Sequence, residues 1–454
     1  VCFVFLRDSL ATFKFLPGIR KLTIYYHGTP KEALRAPWDG GLVWKTDSKD
    51  NPWIATACQG LGASVWWPCK DHQSDEPDSG MRIQIIAPDT LVAVSNGRLQ
   101  NVSAPVHGMK TWTWVVKNPI NTYGVTMNIG KYVKWNDTLM GEGGKLDLEY
   151  WVLNYNLEKA KKQFAQVKPM IRSYEYWFGK YPFYEDSYKL VETPFLGMEH
   201  QSAVAYGNKY ENGYLGRDLS GSGWGLKWDF IIIHESGHEW FGNSITSKDL
   251  ADMWVHEGFT NYSETLYTET MFGKQAATDY NYGIRGNIKN DKTIIGPYGV
   301  NKEGSGDMYY KASNMLNIIR QTINDDNKFR NILRGLNTTF YHKTVTTKEI
   351  EDFISNKSGR DFSKIFDQYL RTTQIPVLEY YLTNNKQKIF FRWTNCLPGF
   401  DLPINIFTEE GSMLIAPTEI YKSVPIAKKF TMTPIEKIIE KKYYVQVRQV
   451  KQKA

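Results

Sequence analysis

The sequence predicts a multidomain α+β protein: a β-sheet domain over residues 1–133, a mainly helical domain over 134–376, and a small β domain over 377–454. Three observations carry this reading. Apolar residues alternate with polar ones from Lys21 to Tyr132, with Gly, Pro and Asn between the runs. From about Leu146 to Leu370 they recur at three- and four-residue spacing. After Gln374-Ile375-Pro376 the alternation returns.

In chain order, the opening VCFVFLRDSLATFKFLPGIR leads straight into the strand-like TIYYHG and reads as entry into the middle of a β domain. Leu22–Tyr26, Arg82–Ile86, Leu91–Ser95 and Thr111–Val116 are its alternating stretches. The turn His72–Asp78, HQSDEPD, carries a histidine and acids at a spacing that suits a solvated turn better than a metal site. Ala160, Phe164, Val167, Ile171, Tyr174 and Phe178 form the apolar stripe of a helix that Pro169 kinks or splits. Tyr188–Glu192 reads as a strand, and Leu250–Met271 and Asp307–Ile323 as helices. Phe329–Leu370 continues as helices, and Val377–Tyr381, Lys388–Trp393 and Tyr443–Val450 read as strands.

The composition is that of a globular core, 42% hydrophobic and 14% aromatic, so a disordered chain is excluded. Four cysteines, Cys2, Cys58, Cys69 and Cys396, lack C-x-x-C spacing and are too few for a disulfide framework. The net charge of +7 comes from dispersed lysines and a basic tail, Lys441–Lys453. With no basic motif interleaved with aromatics, a solvated surface explains it better than nucleic-acid binding. No run approaches the roughly 18 apolar residues of a membrane span.

The chemistry lies in HESGHEWFGNSITSKDLADMWVHEGFTNYSETL, His234–Leu266. His234 and His238 are one helical turn apart, so both imidazoles can reach one ion. Eighteen residues then separate His238 from Glu257, which falls in the next helix and supplies a third ligand. Two imidazoles and a carboxylate suit zinc, one ion per chain, and leave a fourth position open to water. Glu235 is rotated about 100° from His234 and flanks the ion without binding it, placed to take a proton from that water. Burying two histidines and two carboxylates on an otherwise apolar helix without an ion would be costly. Gly237 reads as close helix packing, and His256, beside Glu257, points another way and reads as an outer or surface residue.

HESGHEWFGNSIT followed by WVHEGFTNYSE resembles the M1 family of zinc aminopeptidases, the gluzincin aminopeptidases, with His256 where that family has Asn. The resemblance implies a thermolysin-like zinc domain over 134–376 and a β-sandwich as the last domain. It also implies zinc at His234, His238 and Glu257, with Glu235 as general base. PFLGMEHQSAVAYGN is similar to the family's G-x-M-E-N exopeptidase motif, with Leu196 at the first Gly and His200 at the Asn. On that match Glu199 anchors the substrate's α-ammonium, and the backbone of Gly197 can come close to the substrate. Cys58–Asp71, CQGLGASVWWPCKD, resembles the stretch that brings a Gln or Glu from the first domain, here Gln59. DMYYKASNMLNIIRQTI resembles the Y-x-K-G-A helix, with Ala312 and Ser313 in place of Gly and Ala. In that register Tyr309 donates its hydroxyl to the oxyanion, and Tyr310 is the rival.

The resemblance therefore implies a metallo-aminopeptidase acting on peptides with a free N-terminus. Beside the family's larger first domain, the opening suggests that an N-terminal part and any export signal are missing; such a signal would direct the protein to the cell envelope or outside, with the cytoplasm as the alternative. Phe195 is a candidate wall of the specificity pocket. The rival readings are a thermolysin-like endopeptidase with the same two-helix site and a non-catalytic scaffold; Glu199 argues against the first, and the intact ligands and base against the second.

Overall fold

The computed structural model describes residues 23–383, 387–408, 411–426 and 433–451, so the opening run lies outside the described residues. In the first part, two antiparallel sheets enclose one core. One orders Gly41–Thr46, Pro52–Ala57, Met127–Gly130 and Val92–Ser95; the other orders Met81–Pro88, Met109–Val116 and Arg98–Val102. The alternation in Met81–Pro88 does what it predicts. Ile83, Ile85 and Ala87 are buried, while Arg82, Gln84 and Ile86 face out. Ile83 pairs with Trp114, and Ile85 with Trp112. The expected strand at Leu22–Tyr26 does not form over its described residues. Thr23–Tyr26 have no pairing partner, and Tyr25 and Tyr26 are exposed.

The helical reading from Leu146 also needs correction. Gly144–Leu153 is a strand, paired antiparallel with Tyr132–Gly141, because Leu146, Leu148, Tyr150 and Val152 are buried at period two. These strands belong to a five-stranded sheet ordered Gly197–Met198, Val204–Tyr206, Tyr188–Glu192, Gly144–Leu153, Tyr132–Gly141. Helix begins only at Leu157. It splits as Pro169 suggests: Leu157–Gln163, a 3₁₀ turn at Phe164–Gln166, then Val167–Phe178. Pro169 sits in the first turn of the last piece, where a missing N–H leaves no bond unmade.

The helix Phe230–Gly237 packs on this sheet, with Ile231, Ile232 and Ile233 buried. Asp229 caps it, accepting from the backbone N–H of Ile231 and Ile232 at 3.1 and 3.3 Å. Trp254–Phe272 and Tyr310–Ile323 pack in turn, and four helices, Lys274–Gly283, Asp326–Thr339, Thr347–Ser358 and Ser363–Arg371, complete the helical body. No helix of the described residues is long and apolar enough to cross a membrane.

The last part has a four-stranded sheet, Lys422–Pro425, Lys388–Thr394, Val377–Leu382, Gln446–Gln449, and a hairpin of Ile404–Thr408 with Gly411–Ile415. Ile389, Phe391 and Trp393 of the sheet and Ile404, Ile406 and Ile415 of the hairpin share the core. A helix, Thr433–Lys442, lies against the hairpin and leaves only Gln446–Gln449 as the last strand. The expected strand Tyr443–Val450 forms only over Gln446–Gln449, because the helix runs up to Lys442.

Candidate metal centre

His234 lies in the last turn of Phe230–Gly237, and His238 follows its end in helical conformation, φ −64° and ψ −18°. Glu257 is in the first turn of Trp254–Phe272. Gly237 lets the two helices meet: a Cβ there would stand 2.7 Å from Ser263 Oγ and 3.1 Å from Thr260 Cγ2. The ligand atoms of His234, His238 and Glu257 then lie within 4.8 Å of one another, and all three residues are buried.

The hydrogen bonds fix the imidazole tautomers. Glu264 accepts from His234 Nδ1 at 2.7 Å, and also from Asn261 at 2.9 Å and Tyr280 at 2.5 Å. His238 Nδ1 donates to the Phe241 carbonyl at 3.0 Å, with the Thr260 hydroxyl 3.1 Å away. Both Nε2 atoms therefore turn lone pairs toward Glu257 Oε2, at 3.5 and 3.3 Å. That oxygen is buried without a hydrogen bond. Three acceptors converging on one point need a cation between them, and the donor set, two imidazoles and a carboxylate, fits zinc.

The electrostatics agree. Burial would lower the His238 imidazole, but Glu257 and Glu199 outweigh it and bring it up to about 9. Burial would raise the Glu257 carboxyl; the imidazoles of His238 and His234 instead hold it far below the usual carboxylate range. Protons take the cation's place on a site built this way and leave when a metal enters.

Glu235 projects into the same cleft, where burial pushes its carboxyl up to about 7, His234 opposing and Glu199 adding. Glu199, Glu235 and His238 present their polar atoms within 4.8 Å of one another. Glu199 Oε1 accepts from Gln59 Nε2 at 2.5 Å and from the Tyr123 hydroxyl at 3.2 Å, leaving Oε2 for a ligand. Burial raises its carboxyl, with His238 opposing and Glu257 adding. Asn243 Nδ2 holds the Glu199 carbonyl at 2.8 Å. Gly197 lets its strand lie on the histidine helix, since a Cβ would meet Ile231 Cγ2 at 2.8 Å and Glu235 Oε1 at 2.9 Å. Tyr309, just before the helix Tyr310–Ile323, stacks its ring 6.0 Å from that of His234. After burial, the strongest influences raising its hydroxyl are Glu257, Glu199, Glu303 and Glu235; for Tyr310 the leading one is Glu264. Tyr309 is therefore the tyrosine facing the cluster.

All eight residues singled out in the sequence line one cleft of about 770 Å³: His234, His238, Glu257, Glu235, Glu199, Gly197, Gln59 and Tyr309. Phe195 does not line it; the side chain is buried with Met198, Tyr123 and Ala205 in a small core behind the strand. His256 is no ligand. It is fully buried, and its Nε2 accepts from the Ser247 N–H at 2.8 Å. The HQSDEPD turn is docked rather than merely solvated, with Gln73 Nε2 donating to Ser247 Oγ at 2.6 Å. Glu264, Thr260, Tyr123 and Asn243 went unread in the sequence, although Glu264 stands two helical turns after Glu257, on the same face.

Residues 155–369 match the family model described as the peptidase family M1 domain. Over those residues the chain is similar to peptidase family M1. Among its relatives are probable aminopeptidase 2 of Sulfurisphaera tokodaii, 23% identical and covering 81% of this chain and 46% of the relative, and aminopeptidase B of Homo sapiens, 22% identical and covering 88% and 58%. The chain thus spans about half the length of the curated relatives it matches. The crystal structure of an M1 zinc metallopeptidase from Deinococcus radiodurans superposes with a TM-score of 0.62 at 19% identity, covering 76% of this chain and 74% of that one. Legionella pneumophila aminopeptidase A superposes with a TM-score of 0.71 at 16% identity, covering 90% and 49%. Both show a common fold. The family match and the donor set both point to a metal at this cluster.

Proposed function

We propose that this M1 protein is a zinc-dependent aminopeptidase that removes the N-terminal residue from peptides, with one zinc per chain at His234, His238 and Glu257. When bound, zinc supplies a Lewis acid and makes water a competent nucleophile at neutral pH. Glu235 accepts the proton of the attacking water and passes it to the leaving amine, and a carboxyl held at about 7 by burial suits both transfers. The Tyr309 hydroxyl donates to the oxyanion. Glu199, held by Gln59 and Tyr123, pairs with the substrate's α-ammonium.

One observation carries the exopeptidase reading. The Glu199 carboxylate lies within 4.8 Å of Glu235 and His238, and its two side-chain donors both go to one oxygen. An ammonium entering a closed, water-poor pocket needs such a fixed anionic partner. The experiment compares kcat/KM on a peptide and its N-acetylated twin, for wild type and Glu199→Ala. A charge-assisted contact of ~1.5–3 kcal/mol predicts a roughly 10–100-fold preference for the free N-terminus, abolished in the variant with metal retained. Equal cleavage of both peptides by the wild type would make the protein an endopeptidase.

A further inference from the structure

The wall of the cleft beside Glu199 is made by two loops. Gln59, which grips Glu199, is followed by Gly60, whose carbonyl accepts from Asn301 Nδ2 at 3.4 Å. Asn301, Lys302 and Glu303 therefore stand next to the ammonium site and line the same cleft. We infer that Glu303 reads the side chain of the substrate's N-terminal residue and selects a basic one, lysine or arginine. This rests on the aminopeptidase reading above.

Glu303 has no ion pair among the described residues, and the cation that acts on it most is Lys292. Glu303 is exposed at the cleft wall, and its carboxyl is raised, by partial desolvation first and then by Glu257. A carboxylate at the cleft wall without an ion pair is open to an incoming ammonium or guanidinium. Lys289 and Lys302 also line the cleft, but neither is among the leading influences on Glu303.

Trp38 supplies the other half of the subsite. It lines the cleft, and 68% of its surface is exposed. Its turn is held by Asp39 Oδ2, which accepts from the backbone N–H of Leu34 and Arg35, both at 2.8 Å. The aliphatic stem of lysine or arginine can lie along such an indole, with the cation over its face or beyond it at Glu303.

The test uses the full zinc-loaded chain and 4-nitroanilides of arginine, lysine, leucine, methionine and glutamate, so that only the N-terminal residue varies. Arginine and lysine should exceed leucine in kcat/KM. Glu303→Gln should lower the arginine-to-leucine ratio by about 10–100-fold, and Glu303→Asp should restore part of it. The inhibition constants of arginine amide and norleucine amide give a second readout, independent of turnover, and should show the same preference and the same loss. Good leucine and methionine turnover with arginine no better overturns the role of Glu303 while leaving the aminopeptidase reading intact; so does a ratio that Glu303→Gln does not move. Failure to cleave any substrate of the panel overturns both.

Discussion

Replacing Gly197 by alanine tests how tightly the strand before Glu199 and the proposed general base, Glu235, are built together. Gly197 is not among the residues at positive φ, so its backbone accepts alanine without strain. The obstacle is the methyl group. It would sit 2.8 Å from Ile231 Cγ2, 2.9 Å from Glu235 Oε1 and 3.0 Å from Ile231 Cδ1, so strand and helix must part by about 0.5 Å to reach ordinary contact. Ile231 is 1% exposed and part of the main core, so it has little room to yield. Overpacking of this kind costs ~1–3 kcal/mol, partly offset by the ~0.4–1 kcal/mol that a less flexible unfolded chain contributes. The larger effect falls on activity, because the Glu235 carboxylate moves while its partners stay. A displacement approaching 1 Å costs up to ~10²-fold. The assays are kcat/KM on a dipeptide amide, zinc content by metal analysis, and a thermal melt. We expect a folded protein of slightly lower Tm, zinc near one per chain, and kcat/KM reduced ~10–100-fold. A variant with wild-type kcat/KM would show that the Gly197–Glu235 contact does not position the base.

Two further outcomes follow from the same geometry. Tyr309→Phe should lower kcat by ~10²–10³-fold with zinc retained, and Tyr310→Phe should be mild; exchanged phenotypes in steady-state kinetics would shift the register by one residue. Glu264→Gln removes the charge behind His234 Nδ1 and should weaken zinc affinity by about 10–100-fold, read by titration against a competing chelator; unchanged affinity would leave Glu264 a purely structural residue.

Local spacing made the metal ligands legible. His234 and His238 share a helix face, and Glu257 needed only a second helix within reach. Glu264 and Thr260 were open to the same reasoning, since both lie at helical spacing from Glu257. Tyr123 and Asn243 were not. They reach Glu199 from 76 and 44 residues away, and only the tertiary fold brings them there. In the fold, Gly144–Leu153 was misread because a strand with apolar residues at every second position adjoins a true helix, and the two periods blur at the junction. The helix Thr433–Lys442 was missed because its buried apolar residues, Ile435 and Ile439, are few, and burial against the hairpin rather than a strong stripe sets it.

The departures from the family pattern show what that pattern constrains. Ala312 stands where the family has glycine, at the crossing of Tyr310–Ile323 with Trp254–Phe272. Its methyl fits because Gly258 faces it: a Cβ on Gly258 would lie 2.7 Å from that of Ala312. The crossing tolerates one methyl group and not two. His200, in place of asparagine, is fully buried with neither ring nitrogen hydrogen-bonded, and burial lowers its imidazole to about 3, so it stays neutral. A residue without polar partners cannot be what orients Glu199. That task falls to the backbone pairing of Gly197 with Tyr206 and Met198 with Ala205, and to Asn243, which bonds the Glu199 carbonyl at 2.8 Å and Glu239 at 3.2 Å. Glu239 in turn accepts from the Ser202 N–H at 2.9 Å, so the chain on both sides of His200 is tied to the segment that follows the second histidine. Glu199 is thus positioned by the segment that carries His238, and the asparagine of the family motif can be exchanged without moving Glu199.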